Sequence, residues 1–244
     1  MMNQYFGDIN DFHKYALLRA LTARGDTRTL VCWMLTPSDG GTDGGKTSYL
    51  LAPQSPHGTA DPEAFMALRR ILVGDDRINA SARDVRWAEA IRLIPGATYY
   101  PSDPNFPMSD GALTLVPADP EKRRAYFLRA LEAAGGADLV FFDPDTGIEV
   151  PSTPRGGERS TRYVFLEEVK QAYETGAAVL VFQHYARENR KAYLERRIEQ
   201  LQRTANGATI ASLSCPNVVY FLIQHPGQEA KLDVDSAARL CHCW

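Results

Sequence analysis

Short apolar runs alternate with longer amphipathic segments along most of this 244-residue chain. Residues 28–35, 138–142 and 177–185 are apolar runs of strand length, and segments of helical periodicity separate them. Strands that alternate with helices form a parallel sheet with helices on both faces. The alternation therefore predicts an α/β fold.

The end of the chain breaks this alternation. Two apolar runs, 208–214 and 217–224, are separated by little more than a Cys-Pro dipeptide, which is too short for a parallel crossover. We therefore expect the last strand to run antiparallel to its neighbour. With further short runs at 96–100 and 112–116, the pattern predicts about seven strands. This layout resembles the Rossmann-like sheet of S-adenosylmethionine-dependent methyltransferases.

The run 138–142, the fourth predicted strand, ends in Asp143-Pro144-Asp145. In open parallel sheets, ligands bind outside the carboxyl ends of the strands. Pro144 restricts the backbone there, so both carboxylates are expected to face a cleft from a stiff turn. The alternative is that these aspartates only form a turn or cap a helix. We take Asp143, Pro144 and Asp145 as candidate catalytic residues.

Lys14 lies on the leucine-rich stripe of the first predicted helix, which runs from about residue 10 to residue 23. A lysine on such a stripe needs an anionic partner, or it extends to reach water. Asp8 and Asp11 are close enough to share its surroundings, although Asp11 or Asn10 could simply cap the helix. We take Lys14 and Asp11 as candidate cofactor-binding residues. The segment 1–25 is expected to pack over the cleft.

A glycine-rich loop follows the first strand and contains Asp39, Gly40 and Gly41. These three are candidate cofactor-binding residues, since glycines let the backbone approach a ligand closely. The loop also matches a P-loop pattern from Gly40 to Thr47. A P-loop must lead into a helix, and the prolines at 53 and 56 argue against one. A third possibility is a mobile surface loop.

His184 ends the strand at 177–185, again at a carboxyl edge. Since adjacent strands end side by side, it is expected near Asp143 and suits proton transfer. A histidine that is only hydrogen-bonded at a loop edge is the alternative. Arg187 and Arg190, near the start of the next helix, could contact phosphate.

Two family resemblances add to these residues. Amino-group methyltransferases that act on adenine carry Asp-Pro-Pro-Tyr or a close variant after the fourth strand, and this chain keeps Asp143 and Pro144. It lacks the stacking ring, which is worth about 1–3 kcal/mol to a bound base, so adenine specificity does not follow. The stretch "NDFHKYALL" resembles the start of the RlmJ-like ribosomal-RNA adenine-N6 methyltransferases, with Asp11 and Lys14 in matching places.

The motifs "GDINDFHKYALLR" and "FFDPDTGIE" are also similar to an uncharacterised bacterial and phage family. The methyltransferase resemblance implies S-adenosylmethionine over the glycine loop, with Lys14 on its carboxylate and Asp143 orienting a nucleic-acid or small-molecule acceptor. An alternative is a metal-dependent nuclease or phosphohydrolase, with Asp143, Asp145 and either Asp8 or Asp11 holding a divalent ion. A non-catalytic binding protein is a second alternative.

Composition sets the remaining expectations. A net charge of -3 and 44% hydrophobic residues are ordinary for a globular protein and indicate no general affinity for nucleic acid. We expect one domain over residues 1–244. Four cysteines suggest packing residues and reduced thiols, and "CHCW" at the end suggests an exposed tail. Without a signal-peptide pattern or a long apolar segment, the sequence predicts a cytoplasmic protein that does not enter the membrane.

Overall fold

The computed structural model describes residues 1–23, 25–38, 41 and 44–243. The helices are α1 (Ile9–Leu21), α2 (Pro56–Ala60), α3 (Pro62–Leu72), α4 (Arg86–Ala90), α5 (Pro120–Ala134), α6 (Leu166–Glu174), α7 (Arg190–Thr204) and α8 (Val234–His242). The strands are β1 (Thr29–Cys32), β2 (Val73–Gly74), β3 (Arg77–Ile78), β4 (Ala97–Tyr100), β5 (Leu139–Phe142), β6 (Gly147–Ile148), β7 (Tyr163–Val164), β8 (Ala178–His184), β9 (Thr209–Ser214) and β10 (Val218–Gln224).

Six of these strands form the central sheet, in the order β4-β1-β5-β8-β10-β9. The neighbours β4, β1, β5 and β8 are parallel. In contrast, β10 runs antiparallel to both β8 and β9. Two short pairs, β2 with β3 and β6 with β7, lie outside this sheet. The fold is therefore α/β, with a mostly parallel central sheet.

The predicted strand at 112–116 is absent from the part of the chain that the structure describes. These residues carry no regular structure, although the N–H of Val116 donates to the carbonyl oxygen of Leu35 at 2.9 Å. As a result the central sheet has six strands rather than about seven, and β5 is third among them in chain order rather than fourth. This segment does not need a ladder of backbone hydrogen bonds to a neighbouring strand, because most of its residues are exposed or half-buried.

Helices cover both faces of the central sheet. Successive strand residues point to opposite faces, so Leu30 and Val140 belong to one apolar cluster while Val31 and Phe141 belong to the other. The first face packs against α5, α6 and α7, and the second against α1, α3, α4 and α8. No helix among the described residues has the length and hydropathy needed to cross a bilayer.

An aspartate followed by a proline is a sequence signal for the start of a helix, and two of the Asp-Pro pairs, Asp61-Pro62 and Asp119-Pro120, do begin helices. Asp61 accepts a hydrogen bond from the N–H of Ala64 at the start of α3, and Asp119 accepts one from the N–H of Lys122 at the start of α5. Gly135 ends α5 with φ at 52°, a left-handed conformation that favours glycine. Local capping chemistry therefore fixes the bounds of both helices.

Candidate functional site

Asp8 positions the start of α1. Its side chain accepts the N–H of Asp11 at 2.9 Å. The helix therefore begins at Ile9, and neither Asn10 nor Asp11 is the cap that the sequence suggested. Aspartate is among the residues preferred at helix N-caps, so the sequence did contain this signal at Asp8. The cap places the first turn of α1 beside the end of β5.

Lys14 joins this first turn to β5 through a buried ion-pair network. Its Nζ lies 2.7 Å from Oδ1 of Asp11 and 2.7 Å from Oδ2 of Asp143. The Lys14 and Asp143 side chains are only 3% and 1% exposed, so the lysine does not extend to water. The second oxygen of Asp11 accepts the hydroxyl of Tyr15 at 3.1 Å. Asp11, Lys14 and Asp143, which we call the buried trio, thus hold one another in place.

Charge and burial act in opposite directions on these groups. Burial alone lowers the pKa of Lys14, but attraction to Asp11 and Asp143 outweighs it and raises that pKa above its ordinary value. Burial raises the pKa of both carboxyl groups, and Lys14 opposes this shift. The ammonium of Lys14 is therefore charged at neutral pH.

A cavity of about 500 Å³ opens beside the buried trio. We call it the acidic cavity, and its described lining is Met1, Tyr5, Asp8, Asn10, Asp11, Lys14, Gly44, Gly45, Lys46, Asp143, Pro144, Asp145, Phe182 and His184. The structure thus brings together Lys14, Asp11, His184 and the Asp143-Pro144-Asp145 turn.

The acidic cavity lies at the carboxyl edge of the parallel strands. The N–H of Asp143 donates to the carbonyl oxygen of Cys32 in β1, 3.0 Å away, and the amino group of Met1 contacts the carbonyl oxygens of Met34 and Asp143. The chain places β4 on one side of β1 and β5 on the other, so the winding direction reverses between β1 and β5. Ligands of open α/β sheets bind at such reversals.

A glycine fixes the turn that carries Asp145. Gly147 has φ at 140°, and a Cβ there would lie 2.3 Å from the side chain of Gln183. That amide accepts the N–H of Ile148 and donates to the carbonyl oxygens of Thr146 and His184. The turn is therefore bonded to β8 on both sides of Gly147. Asp145 also lies 3.5 Å from the guanidinium of Arg162.

His184 stands exposed at the end of β8, on the rim of the acidic cavity. Its ring packs edge-on against Phe182, with 4.9 Å between ring centroids. Partial loss of hydration lowers the pKa of His184 below its ordinary value, although Asp145 and Asp143 oppose the shift. The imidazole is therefore neutral at neutral pH and able to accept a proton.

The glycine-rich loop reaches the acidic cavity through its second half. Gly44 and Gly45 line the cavity with Lys46, whose carbonyl oxygen accepts the N–H of Ile9 at 3.0 Å. Gly44 has φ at 83°, and a Cβ there would meet the carbonyl oxygen of Gln4 at 2.6 Å. Of the predicted loop residues, Asp39 and Gly40 lie outside the described part of the chain. Gly41 is exposed and is not among the lining residues.

Sequence reasoning missed several lining residues. No sequence motif singles out Tyr5 or Phe182, and Lys46 was considered only as part of the P-loop pattern from Gly40 to Thr47. The ring of Phe182 lies under the Lys14 ammonium, at 5.3 Å. Arg187 and Arg190, considered for phosphate, are exposed and are not part of the described lining.

Acidic and basic groups both line the acidic cavity. Four carboxylates, of Asp8, Asp11, Asp143 and Asp145, are set against the ammonium groups of Lys14, Lys46 and Met1. The described residues contain no group of three or more His, Cys, Asp or Glu side chains arranged to hold a metal ion. Where Asp11 and Asp143 converge, the structure has the ammonium of Lys14.

Comparisons with protein-family models, with curated proteins and with solved structures return no significant match to this chain.

Proposed function

We propose that the chain is an S-adenosylmethionine-dependent methyltransferase, with cofactor and acceptor meeting in the acidic cavity. The observation that carries the proposal is the position of this cavity at the carboxyl edge of β5 and β8, with the Asp143-Pro144-Asp145 turn in its wall. Its volume of about 500 Å³ lies within the range of about 300–1,000 Å³ that small-molecule sites occupy. A mostly parallel sheet with an antiparallel strand next to its edge agrees with the layout of methyltransferases that the sequence resembles.

The charge of the acidic cavity fits this cofactor. S-adenosylmethionine carries a sulfonium and an ammonium group against one carboxylate, and the lining, with four aspartates and three amino groups, can pair with charges of both signs. We assign Asp8 to the ammonium group, and Lys46 with the backbone of Gly45 to the carboxylate. The cofactor, when bound, supplies the activated methyl group.

The buried trio has a positioning role in this proposal. The ammonium of Lys14 forms ion pairs with two carboxylates and a third hydrogen bond with Sδ of Met1, so we assign Lys14 to holding Asp143 rather than to the cofactor carboxylate. Of the two carboxylate oxygens of Asp143, only Oδ2 has a hydrogen-bond partner among the described residues. Oδ1 is therefore the atom that we assign to an N–H or O–H of the acceptor, and neutral His184 accepts the proton that the acceptor loses. Methyl transfer needs chiefly this alignment of two reactants.

The test measures binding first and transfer second. Titration of the full chain with S-adenosylmethionine and with S-adenosylhomocysteine, followed by thermal unfolding and calorimetry, should show saturable stabilisation; at 100 times Kd a ligand adds about 2.7 kcal/mol. The variant Asp145→Asn removes one lining charge and should weaken binding of S-adenosylmethionine about tenfold. Asp26→Asn, at an exposed position outside the cavity, is the matched control and should bind as the unmodified chain does.

Transfer is then followed with a labelled methyl group and RNA, DNA and small-molecule extracts as acceptors. Asp143→Asn should reduce transfer to any acceptor found by about a hundredfold or more. The proposal fails if neither cofactor form stabilises the chain. Stabilisation by magnesium or manganese ions alone would instead favour a metal-dependent hydrolase.

A further inference from the structure

Two cysteines that are distant in sequence lie in contact at the same edge of the central sheet as the acidic cavity, across β10 from the end of β8. Cys215 follows β9, and its N–H closes the β9–β10 turn on the carbonyl oxygen of Val218. Cys241 lies in the last turn of α8. Their Sγ atoms are 2.8 Å apart, although 26 positions separate them in sequence. Both side chains are buried, so the predicted exposed tail "CHCW" is packed into the fold at Cys241, while His242 and Cys243 are exposed.

We propose that Cys215 and Cys241 form a thiol-oxidation site, which closes to a disulfide bond when the protein meets a small-molecule disulfide such as oxidised glutathione. The two sulfur atoms need to approach by less than 1 Å to reach the bond length of about 2.05 Å. They face each other in an apolar layer that also contains Leu213, Val218 and Ala237, which holds both cysteines in place. This inference does not depend on the proposed methyltransferase activity.

The oxidation balances with one molecule of the oxidant. A thiolate of the pair attacks one sulfur of oxidised glutathione, which releases one glutathione as a thiol and leaves a mixed disulfide on the protein. The second cysteine then loses its proton and attacks the protein sulfur of this mixed disulfide, releasing the other glutathione. Two hydrogens and two electrons pass from the two cysteines to the oxidant.

Burial determines how fast this reaction runs. Hydrogen bonding to Cys241 and burial both raise the pKa of Cys215, so little thiolate is present at neutral pH. The reaction therefore needs the last turn of α8 to open. Cys243 is exposed beside Cys241, with its Sγ bonded to the carbonyl oxygen of Arg239. It offers a second, accessible thiol that can carry glutathione first and pass it on.

The bond would fasten α8 to the sheet. The N–H of Asp233, at the start of α8, donates to the carbonyl oxygen of Leu21 at the end of α1. α8 also packs against β9 and along α1, which carries Asp11 and Lys14 of the buried trio. Oxidation at Cys215 and Cys241 would therefore restrain α8, which packs against α1, the helix that contributes residues to the acidic cavity.

The experiment treats the full chain with oxidised glutathione, blocks remaining thiols in denaturant and analyses tryptic peptides by mass spectrometry. We expect residues 204–231 and 240–244 to be linked, with the loss of two hydrogens, and a reducing agent to separate them. Cys243→Ser should retain this link, which assigns it to Cys241, and Cys241→Ser should lose it. Oxidised protein should melt about 5–10 °C higher than reduced protein, because the bond closes a loop in the unfolded chain.

Cys32 is the internal control, because it is buried in the central sheet away from the pair and should stay unmodified. Circular dichroism of Cys241→Ser should match that of the unmodified chain, which shows that its lost link is not a loss of fold. The proposal is overturned if the two peptides stay separate, if glutathione stays on Cys243 as the final product, or if the link survives in Cys241→Ser.

Discussion

At the residue scale, Lys14 is the side chain that compensates the charges of Asp11 and Asp143 in the site. It is buried, and the two carboxylates that lie 2.7 Å from it are buried as well. Removing one member of a buried ion pair leaves the other charge uncompensated and costs about 3–5 kcal/mol. The buried trio is therefore sensitive to the loss of its single lysine.

We predict that Lys14→Met lowers the free energy of unfolding by about 3–5 kcal/mol, because Asp11 and Asp143 then face each other without a cation. Urea unfolding measures the change. Lys191→Met is the matched control: Lys191 is 87% exposed and lies 4.0 Å from Glu195, so its loss should cost less than about 0.5 kcal/mol. Equal unfolding midpoints for the two variants would show that the trio adds no stability.

His13 gives the protein a pH dependence of its own. It lies on α1, 5% exposed, and its ring stacks on that of His57 at 5.3 Å. Burial, with a smaller contribution from His57, lowers the pKa of His13 from 6.5 to about 3. Above the ordinary value of 6.5, both the folded and the unfolded chain keep this ring neutral. Between 6.5 and about 3 only the unfolded chain binds the proton, so stability falls as the pH falls.

We predict that His13→Gln, which cannot titrate in this range, flattens the loss of stability between about pH 7 and pH 5. The difference in slope from the unmodified chain should approach but not exceed about 1.4 kcal/mol per pH unit. Urea unfolding over this pH range gives both slopes. His242→Gln changes an exposed histidine at the end of α8 and should leave the slope as it is. If His13→Gln also leaves it unchanged, the proton is not excluded from His13 in the folded chain.

At the scale of elements, the turn after β5 depends on the absence of a side chain at Gly147. A Cβ would collide with Gln183, whose amide bonds the backbone on both sides of the turn. The φ of 140° adds strain for any residue other than glycine. The turn and β8 therefore fit together only with glycine at this position.

We predict that Gly147→Ala destabilises the chain by about 3 kcal/mol, from backbone strain and displacement of Gln183. Gly176→Ala separates the two causes, since Gly176 also has a positive φ, at 90°, but open space where the Cβ would lie. It should cost only about 1 kcal/mol. Thermal or urea unfolding of both variants tests this, and a Gly147→Ala cost no larger than that of Gly176→Ala would contradict the collision.

The elements that local chemistry defines were predicted best. The Asp-Pro pairs set the starts of α3 and α5, and the apolar run at 138–142 became β5 (Leu139–Phe142). The prediction of a strand at 112–116 was wrong: four of its five residues are apolar, as in a strand, but among the described residues its backbone makes only an isolated hydrogen bond to Leu35. Periodicity reports burial, and it does not tell whether a partner strand is within reach.

At the scale of the whole molecule, the site could be predicted only as far as sheet topology determines it. Asp143, Asp145 and His184 lie on strand ends, so a parallel sheet brings them to one edge. Asp143, one of the two carboxylate partners of Lys14, is 129 positions away from it, and Cys241 is 26 positions from Cys215. Nothing local in the sequence marks either of these pairs. Such contacts follow from how helices are laid onto the sheet, which a single sequence does not state.

The lysine of the first helix and the aspartate at the end of the third central strand share one hydrogen bond in the buried wall of the cavity. A ligand that donates a hydrogen bond to this aspartate must compete with the lysine for its carboxylate. Ligand binding in the cavity and the packing of the first helix against the sheet are then thermodynamically linked. The affinity for the ligand therefore depends in part on how stably that helix is packed. Substitutions where the first helix packs against the last helix would then change the affinity for a ligand that they do not contact.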